Sequence, residues 1–267
     1  MTPYSAPLPT PRACRTLFLS DLHLGALGAQ PHRILAFLQQ NRAETYVLVG
    51  DVLDLWQPDL PHWSAADQAV IDHLNQQQAE GAQIVYLRGN HDPDPAHAPE
   101  GRRPLAPAVE RYAHQAADGR RFLVIHGHQF DSTLLCGPAL TRLGSRLDHG
   151  LRRFDRALRR LARAPLGEAR SPIEALLARL NTLLHGGGRH ERKLVDLARA
   201  EGFDGVICGH FHLAELHAEH GLIYANCGDW VDSLSAVIET FSGSLRLVGG
   251  PDSVSAPQAA THDLVEA

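Results

Sequence analysis

Cysteine is scarce and shows no pairing pattern. The chain has four, Cys14, Cys136, Cys208 and Cys227, and no two stand in a CxxC spacing. That argues against a thiolate zinc site or a disulfide framework and leads us to expect reduced, buried thiols in a cytosolic protein. No run of about 18 apolar residues occurs, so no stretch is suited to crossing a bilayer as a helix. The opening MTPYSAPLPTPRAC is rich in proline and lacks an apolar core segment; we expect no signal peptide there and disorder over residues 1–14. Aromatic residues make up only 6% of the chain, and Phe154 alone represents them between residues 133 and 200. With so little to stack on bases, a nucleic-acid groove is disfavoured.

What is present describes a globular protein: 44% hydrophobic and 21% charged residues in a chain of 267. That is enough for one large α/β domain or two small ones. The net formal charge is −5, but residues 133–200 carry 14 Arg and Lys against 6 Asp and Glu. A basic segment on an acidic chain is expected either to contact an anionic partner or to be a solvated helical face.

Short apolar runs recur as LFLS (17–20), YVLVG (46–50), IVYLRG (84–89), RFLVIHG (121–127), GVICG (205–209), LIYANCG (222–228), SAVIET and LRLV. Most are rich in β-branched or aromatic residues and end in glycine or a polar group, as buried strands do. Helical stretches lie between the early ones at Pro31–Asn41 and Ser64–Glu80, the second with Ser64 as a cap and Gly81 as a stop. Alternating strands and helices predict a parallel or mixed sheet covered by helices, and the last runs predict an antiparallel meander.

Residues 133–200 break this rhythm. Leu140, Leu143, Leu147, Leu151, Phe154, Leu158 and Leu161 form one helical stripe, and Ile173, Leu176, Leu177, Leu180, Leu183 and Leu184 form another after Pro172. A third helix is expected around Glu191–Ala200. The segment reads as a helical insertion within a domain spanning 15–248, followed by a disordered tail over 249–267.

The strand ends carry the chemistry. Asp21 and His23 follow the first run, Asp51 the second, Asn90-His91-Asp92 the third, His126-Gly-His128 the fourth and His210-Phe-His212 the fifth. Taken alone, Asp21 and His23 fit a strand entering an Asx-type turn. Five runs ending in carboxylate, amide or imidazole groups are harder to attribute to turns, because loops at the carboxyl ends of strands converge on one crevice. Such mixed donors suit manganese, iron, zinc or nickel. Seven ligands from these ends would exceed the needs of one ion but suit two, given a bridging carboxylate. Two ions about 3.5–4 Å apart are the apparatus of phosphoester or phosphoanhydride hydrolysis.

The order Asp-x-His, Gly-Asp, Gly-Asn-His-Asp, His-Gly-His and Gly-His-x-His resembles that of the calcineurin-like metallophosphoesterases over about Leu17 to Val248. The resemblance implies a four-layer α-β-β-α sandwich of mixed sheets with two divalent transition metals. It implies Asp21, His23 and His212 on one metal, Asn90, His126 and His210 on the other, and Asp51 between them. His91 would face the substrate phosphate, with Asp92 as its orienter.

Ser20-Asp-Leu-His-Leu-Gly25, Gly50-Asp-Val-Leu-Asp-Leu-Trp56, His126-Gly-His-Gln-Phe-Asp131 and Asn226-Cys-Gly-Asp-Trp230 look closest to the UDP-2,3-diacylglucosamine diphosphatases of lipid A synthesis. That family usually has Asp where His128 stands, and its best-known members have Arg where His91 stands. The resemblance implies hydrolysis of a UDP-sugar lipid to UMP and a diacyl sugar 1-phosphate, manganese as the metal, and a cytoplasmic enzyme resting on the anionic inner-membrane surface. A phosphodiesterase or phosphatase for nucleotides or another phosphoester is the alternative; a non-catalytic scaffold would predict missing ligands. Trp56 and Trp230 are read as packing or substrate-facing residues, and Asp54, Asp131 and Asp229 as orienters of histidines or caps of turns.

Overall fold

The computed structural model describes residues 11–57, 59–130 and 189–250. Strand β1 (Arg12–Leu19) is followed by α1 (Pro31–Gln40), β2 (Asn41–Val49), α2 (Ala65–Ala79) and β3 (Gln83–Leu87). Then come β4 (Ala108–Val109), β5 (Arg111–Gln115), β6 (Arg121–Ile125), α3 (Arg189–Ala200) and β7 (Gly205–Cys208). The chain continues through β8 (Ala214–His217), β9 (Ile223–Cys227), β10 (Ser235–Glu239) and β11 (Leu245–Gly249).

The strands form two mixed sheets, ordered β11-β10-β1-β2-β3-β4 and β5-β6-β7-β9-β8. In the first, β1, β2 and β3 are parallel; in the second, β6, β7 and β9 are parallel. Alternation along each strand divides the core into layers. Leu17, Leu19, Tyr46, Leu48, Ile84 and Tyr86 face α1 and α2 with Ile34, Phe37, Val70 and Leu74. Their neighbours Phe18, Val47, Val49, Val85 and Leu87 face the second sheet, meeting Phe122, Val124, Ile207 and Ala225. The far side of that sheet, Leu123, Ile125, Val206 and Cys208, packs on Leu194, Val195 and Ala198 of α3. Strands buried on both faces have no reason to alternate polar with apolar residues, which is why they read as continuous apolar runs. The four layers are those expected.

Several boundaries differ from expectation. Arg12, Ala13 and Cys14 belong to β1 and not to a disordered terminus, because they pair in register with Asn41, Arg42 and Ala43. For the same reason α1 ends at Gln40 and Asn41 opens β2. The expected meander holds for the β10–β11 hairpin, but β9 lies in the other sheet, parallel to β7. Helix α3 is the crossover between parallel β6 and β7, so the described end of the expected insertion is part of the sandwich itself. Both leucine stripes, Cys136 and Asp131, and the terminal tail from residue 251, lie outside the described residues. At α2, Ser64 and Asp67 form the reciprocal cap, Ser64 N donating to Asp67 Oδ2 at 2.8 Å. Asp67 Oδ1 also accepts from Gly25 N at 3.1 Å, tying the start of α2 to the loop after β1.

Candidate metal centre

The carboxyl ends of β1, β2, β3, β6 and β7 open onto one edge of the sandwich. Beyond β1 and β2 the parallel pairing continues into the loops: Asp21 N donates to Gly50 O at 3.1 Å, His23 N to Asp51 O at 2.9 Å and Leu24 N to Val52 O at 2.9 Å. Asp21, His23 and Asp51 are thereby fixed side by side. His91 N donates to Asp51 Oδ1 at 2.7 Å, and His210 N to Asp21 Oδ2 at 2.9 Å, which draws in the loops after β3 and β7.

Five of the expected ligands adopt left-handed backbone: Asp21 (φ 55°), His23 (46°), Asp51 (52°), His210 (68°) and His212 (58°). Asp and His tolerate this region better than most residues, yet each instance costs about 1 kcal/mol or more. The glycines of the motifs allow close approach: a Cβ on Gly89 would overlap Asp51 Oδ1, and one on Gly209 would overlap Ser20 Oγ.

The side chains converge as three overlapping groups, each with its donor atoms within 4.8 Å: Asp21, His23 and His212; His23, Asp51 and His91; and Asp51, His126 and His210. His212 Nε2 is 3.2 Å from Asp21 Oδ1, and His126 Nε2 is 3.3 Å from Asp51 Oδ2. Asn90 Oδ1 lies 3.2 Å from His126 Nε2, whose ring is held by Nδ1 at 2.8 Å from Val49 O. Asp21 and Asp51 are buried, and Asp21 Oδ1 has no hydrogen-bond partner. An orphaned buried carboxylate oxygen among imidazole nitrogens fits a cation. So does the position of Asp51, which faces His23 at 4.0 Å on one side and His126 on the other, as a bridge would.

The calcineurin-like phosphoesterase family matches residues 14–214. The chain belongs to that family. Among solved structures, a single mutant of Vps29 from Entamoeba histolytica is similar with TM-score 0.49 at 13% identity, covering 93% of this chain and 99% of that one. An archaeal phosphodiesterase is similar with TM-score 0.43 at 14% identity, covering 87% and 98%. Phosphopantetheinyl hydrolase from Mycobacterium tuberculosis gives TM-score 0.38 at 13% identity, covering 82% and 90%. Among curated proteins no sequence relative is found.

In this calcineurin-like phosphoesterase, the residues with the ligand pattern form one connected cluster, while the groups around them divide differently from expectation. Asp92 does not orient His91. Its buried carboxylate accepts from the amides of Gly89 (2.8 Å), Asp51 (3.0 Å) and Val52 (2.8 Å) and from Tyr86 Oη (2.6 Å), so it ties the loops after β2 and β3 together. Burial, then the nearby Asp51 charge, push its carboxyl up to about 6. The partner of His91 is Asp54, whose Oδ1 lies 2.9 Å from His91 Nδ1. Trp56 stacks on the same imidazole at 3.7 Å and 15° and donates from Nε1 to Asn90 O at 2.8 Å. Trp230, by contrast, is fully buried and packs on Phe37. Asp229 caps its own turn, accepting from Val231 N at 2.7 Å, and stands 3.7 Å from His212 Nδ1, beyond hydrogen-bond distance. The His128 ring lies 5.5 Å from that of His126 and 6.2 Å from that of His210.

The electrostatics match a site built for cations. Burial alone would discharge Asp21 and Asp51, but His212 and His126 respectively hold both carboxyls well below the usual range. Burial would equally discharge the imidazoles; the carboxylates win, lifting His126 to about 9 through Asp51 and Asp21, and His212 to about 10 through Asp21 and Asp229. Protons therefore sit where divalent cations would replace them. His91 behaves differently from His126 and His212: burial lowers it despite Asp51 and Asp54.

Tyr86 and Ser20 were not recognisable as parts of the site from sequence, since both read as ordinary strand residues. Ser20 Oγ bonds Asp21 Oδ2 and also donates to Val49 O at 3.1 Å.

Proposed function

We propose that the chain is a two-metal hydrolase that cleaves the phosphoanhydride of a UDP-acylated sugar lipid, giving UMP and a diacyl sugar 1-phosphate. The position of Asp51, shared between the His23/His91 and His126/His210 groups, carries the hydrolase reading. Asp21, His23 and His212 would hold one ion, and Asn90, His126 and His210 the other. When bound, such ions supply Lewis-acid polarisation and a nucleophile at neutral pH; manganese is the metal proposed, with iron, zinc and nickel sharing the same donor preference.

The protein's own groups do the rest. Asp54 fixes Nδ1 of His91, leaving Nε2 to meet a phosphoryl oxygen or the leaving oxygen. Trp56 presses on the ring and holds Asn90 through its carbonyl. Hydrolysis adds water across one P–O–P linkage: one P–O bond forms, one breaks, and the departing phosphate oxygen keeps the electron pair. Because burial lowers the basicity of His91, the approach of the anionic pyrophosphate is what favours its protonated, donating form.

The UDP-sugar lipid is supported by the sequence context of the motifs, Trp56 and Trp230 included, and by the basic surplus in residues 133–200, suited to a phosphorylated substrate at an anionic inner-membrane surface on its cytoplasmic side. The test is a panel of UDP-diacylglucosamine, other UDP-sugars, cyclic nucleotides and an aryl phosphodiester with manganese-loaded protein and phosphorus product analysis. UMP and a sugar 1-phosphate are expected from the first. Turnover of the small diesters alone would instead establish a general phosphodiesterase.

A further inference from the structure

Away from the phosphoesterase centre, α3 and the β8–β9 hairpin bring together a second set of ligand-type side chains. Glu191 sits in the first turn of α3, Glu215 and His217 lie on β8, and His220 follows in the turn. One oxygen from each carboxylate and one nitrogen of His217 lie within 4.8 Å of one another. Glu191 is only 8% exposed, and its Oε1 receives no hydrogen bond. Yet His217 Nε2 stands 3.3 Å from that oxygen and His220 Nε2 2.7 Å from it, neither aligned as a hydrogen bond. Among the described residues, no arginine or lysine pairs with Glu191 or Glu215.

A buried carboxylate oxygen without a donor is costly. Two carboxylates held together with no arginine or lysine between them add mutual repulsion, which the two imidazoles beside Glu191 offset only in their protonated form. The arrangement becomes favourable if a cation occupies the space between the donors. Ligands bound at about 2.0–2.1 Å with tetrahedral angles stand about 3.4 Å apart, close to the separation of His217 Nε2 and Glu191 Oε1.

We propose that Glu191, Glu215 and His217 hold a divalent transition cation of the zinc class. The cation ties the first turn of α3 to the edge strand β8. That strand starts two residues beyond His212, and His190 of α3 stacks on Phe211 at 3.7 Å, between His210 and His212. The site therefore braces the loop that carries two donors of the phosphoesterase centre.

The probe is zinc, on the full chain stripped with chelator and reloaded. Elemental analysis of folded protein should find one equivalent fewer in Glu191→Gln and His217→Gln than in the wild type. Equal stoichiometry in all three would overturn the site. Should His217→Gln fail to fold, Glu215→Gln carries the same comparison with its shape preserved. In an Asp21→Asn/Asp51→Asn background, which removes a carboxylate from both ion positions of the phosphoesterase centre, zinc at about a hundredfold excess over its Kd should still raise Tm by about 5 °C. The added Glu215→Gln substitution should abolish that rise; an undiminished rise would refute the assignment.

Discussion

Two of the buried carboxylate–histidine clusters among the described residues, one at Glu239 and one at the strand ends, solve opposite problems. Glu239 on β10 accepts from Thr16 Oγ1 at 2.6 Å, Ala117 N at 2.7 Å and Arg15 Nη1 at 2.5 Å, with His114 Nε2 at 2.9 Å. Both oxygens are satisfied, and the group joins the two sheets as a closed network. At the strand ends, Asp21 keeps an oxygen with no donor, imidazoles crowd the carboxylates, and the backbone is left-handed. The same residue types yield structure where donors saturate them and a metal centre where they do not.

Substitutions should separate the two clusters. Asp51→Ala removes the shared ligand, so kcat/KM should fall at least about 1,000-fold, about 4 kcal/mol of transition-state stabilisation, while the fold survives. Steady-state kinetics with metal analysis would check this; a loss no larger than that of Trp56→Ala would refute the bridging role. Glu239→Ala should do the reverse, costing about 3 kcal/mol in denaturant unfolding with kcat unchanged, since it strands a buried network without touching the site.

Acid sharpens the same contrast. Burial would raise the Glu239 carboxyl, but the hydrogen bonds from His114, Thr16, Ala117 and Arg15 outweigh it and hold it at about 2. An unfolded glutamate titrates near about 4.3. The stabilisation, about 3 kcal/mol, is therefore complete above about pH 5 and disappears as pH falls through about 2. At the metal centre the sign reverses. Raised His126 and His212 must release protons to bind a cation, so affinity should climb with pH, by up to about tenfold per unit for each displaced proton, until those groups are neutral. Metal titrations at pH 6, 7 and 8 would show it, and a pH-independent affinity would count against these ligands.

Smaller effects fall on the groups around the ligands. Asp54→Asn should lower kcat by about 10–100-fold with metal content unchanged, because it frees the His91 ring. Trp56→Ala should cost about tenfold, in line with loss of one stacked support.

The layers of the sandwich were legible because strands buried on both faces must be apolar throughout, and the clustering of Asp, Asn and His side chains was legible because each stands where such a run ends. The orienter of His91 was not. Asp92 is adjacent in sequence, whereas Asp54 reaches the ring only through the loop after β2, and chain proximity is no guide to which carboxylate a loop turns inward. Tyr86 read as an ordinary core aromatic because its hydroxyl contact is set by the fold. The Glu239 network and the Glu191–His217 cluster draw on strands or helices far apart in the chain, and nothing in their local spacing announces them.

The ligands come from both halves of the sandwich: Asp21, His23, Asp51 and Asn90 from one sheet, His126, His210 and His212 from the other. A pair of ions at that rim would act as a clasp as well as a catalyst. Chelation should therefore let the two leaves of the protein part at this end first, with the hinge at the opposite margin where Glu239 keeps them stitched.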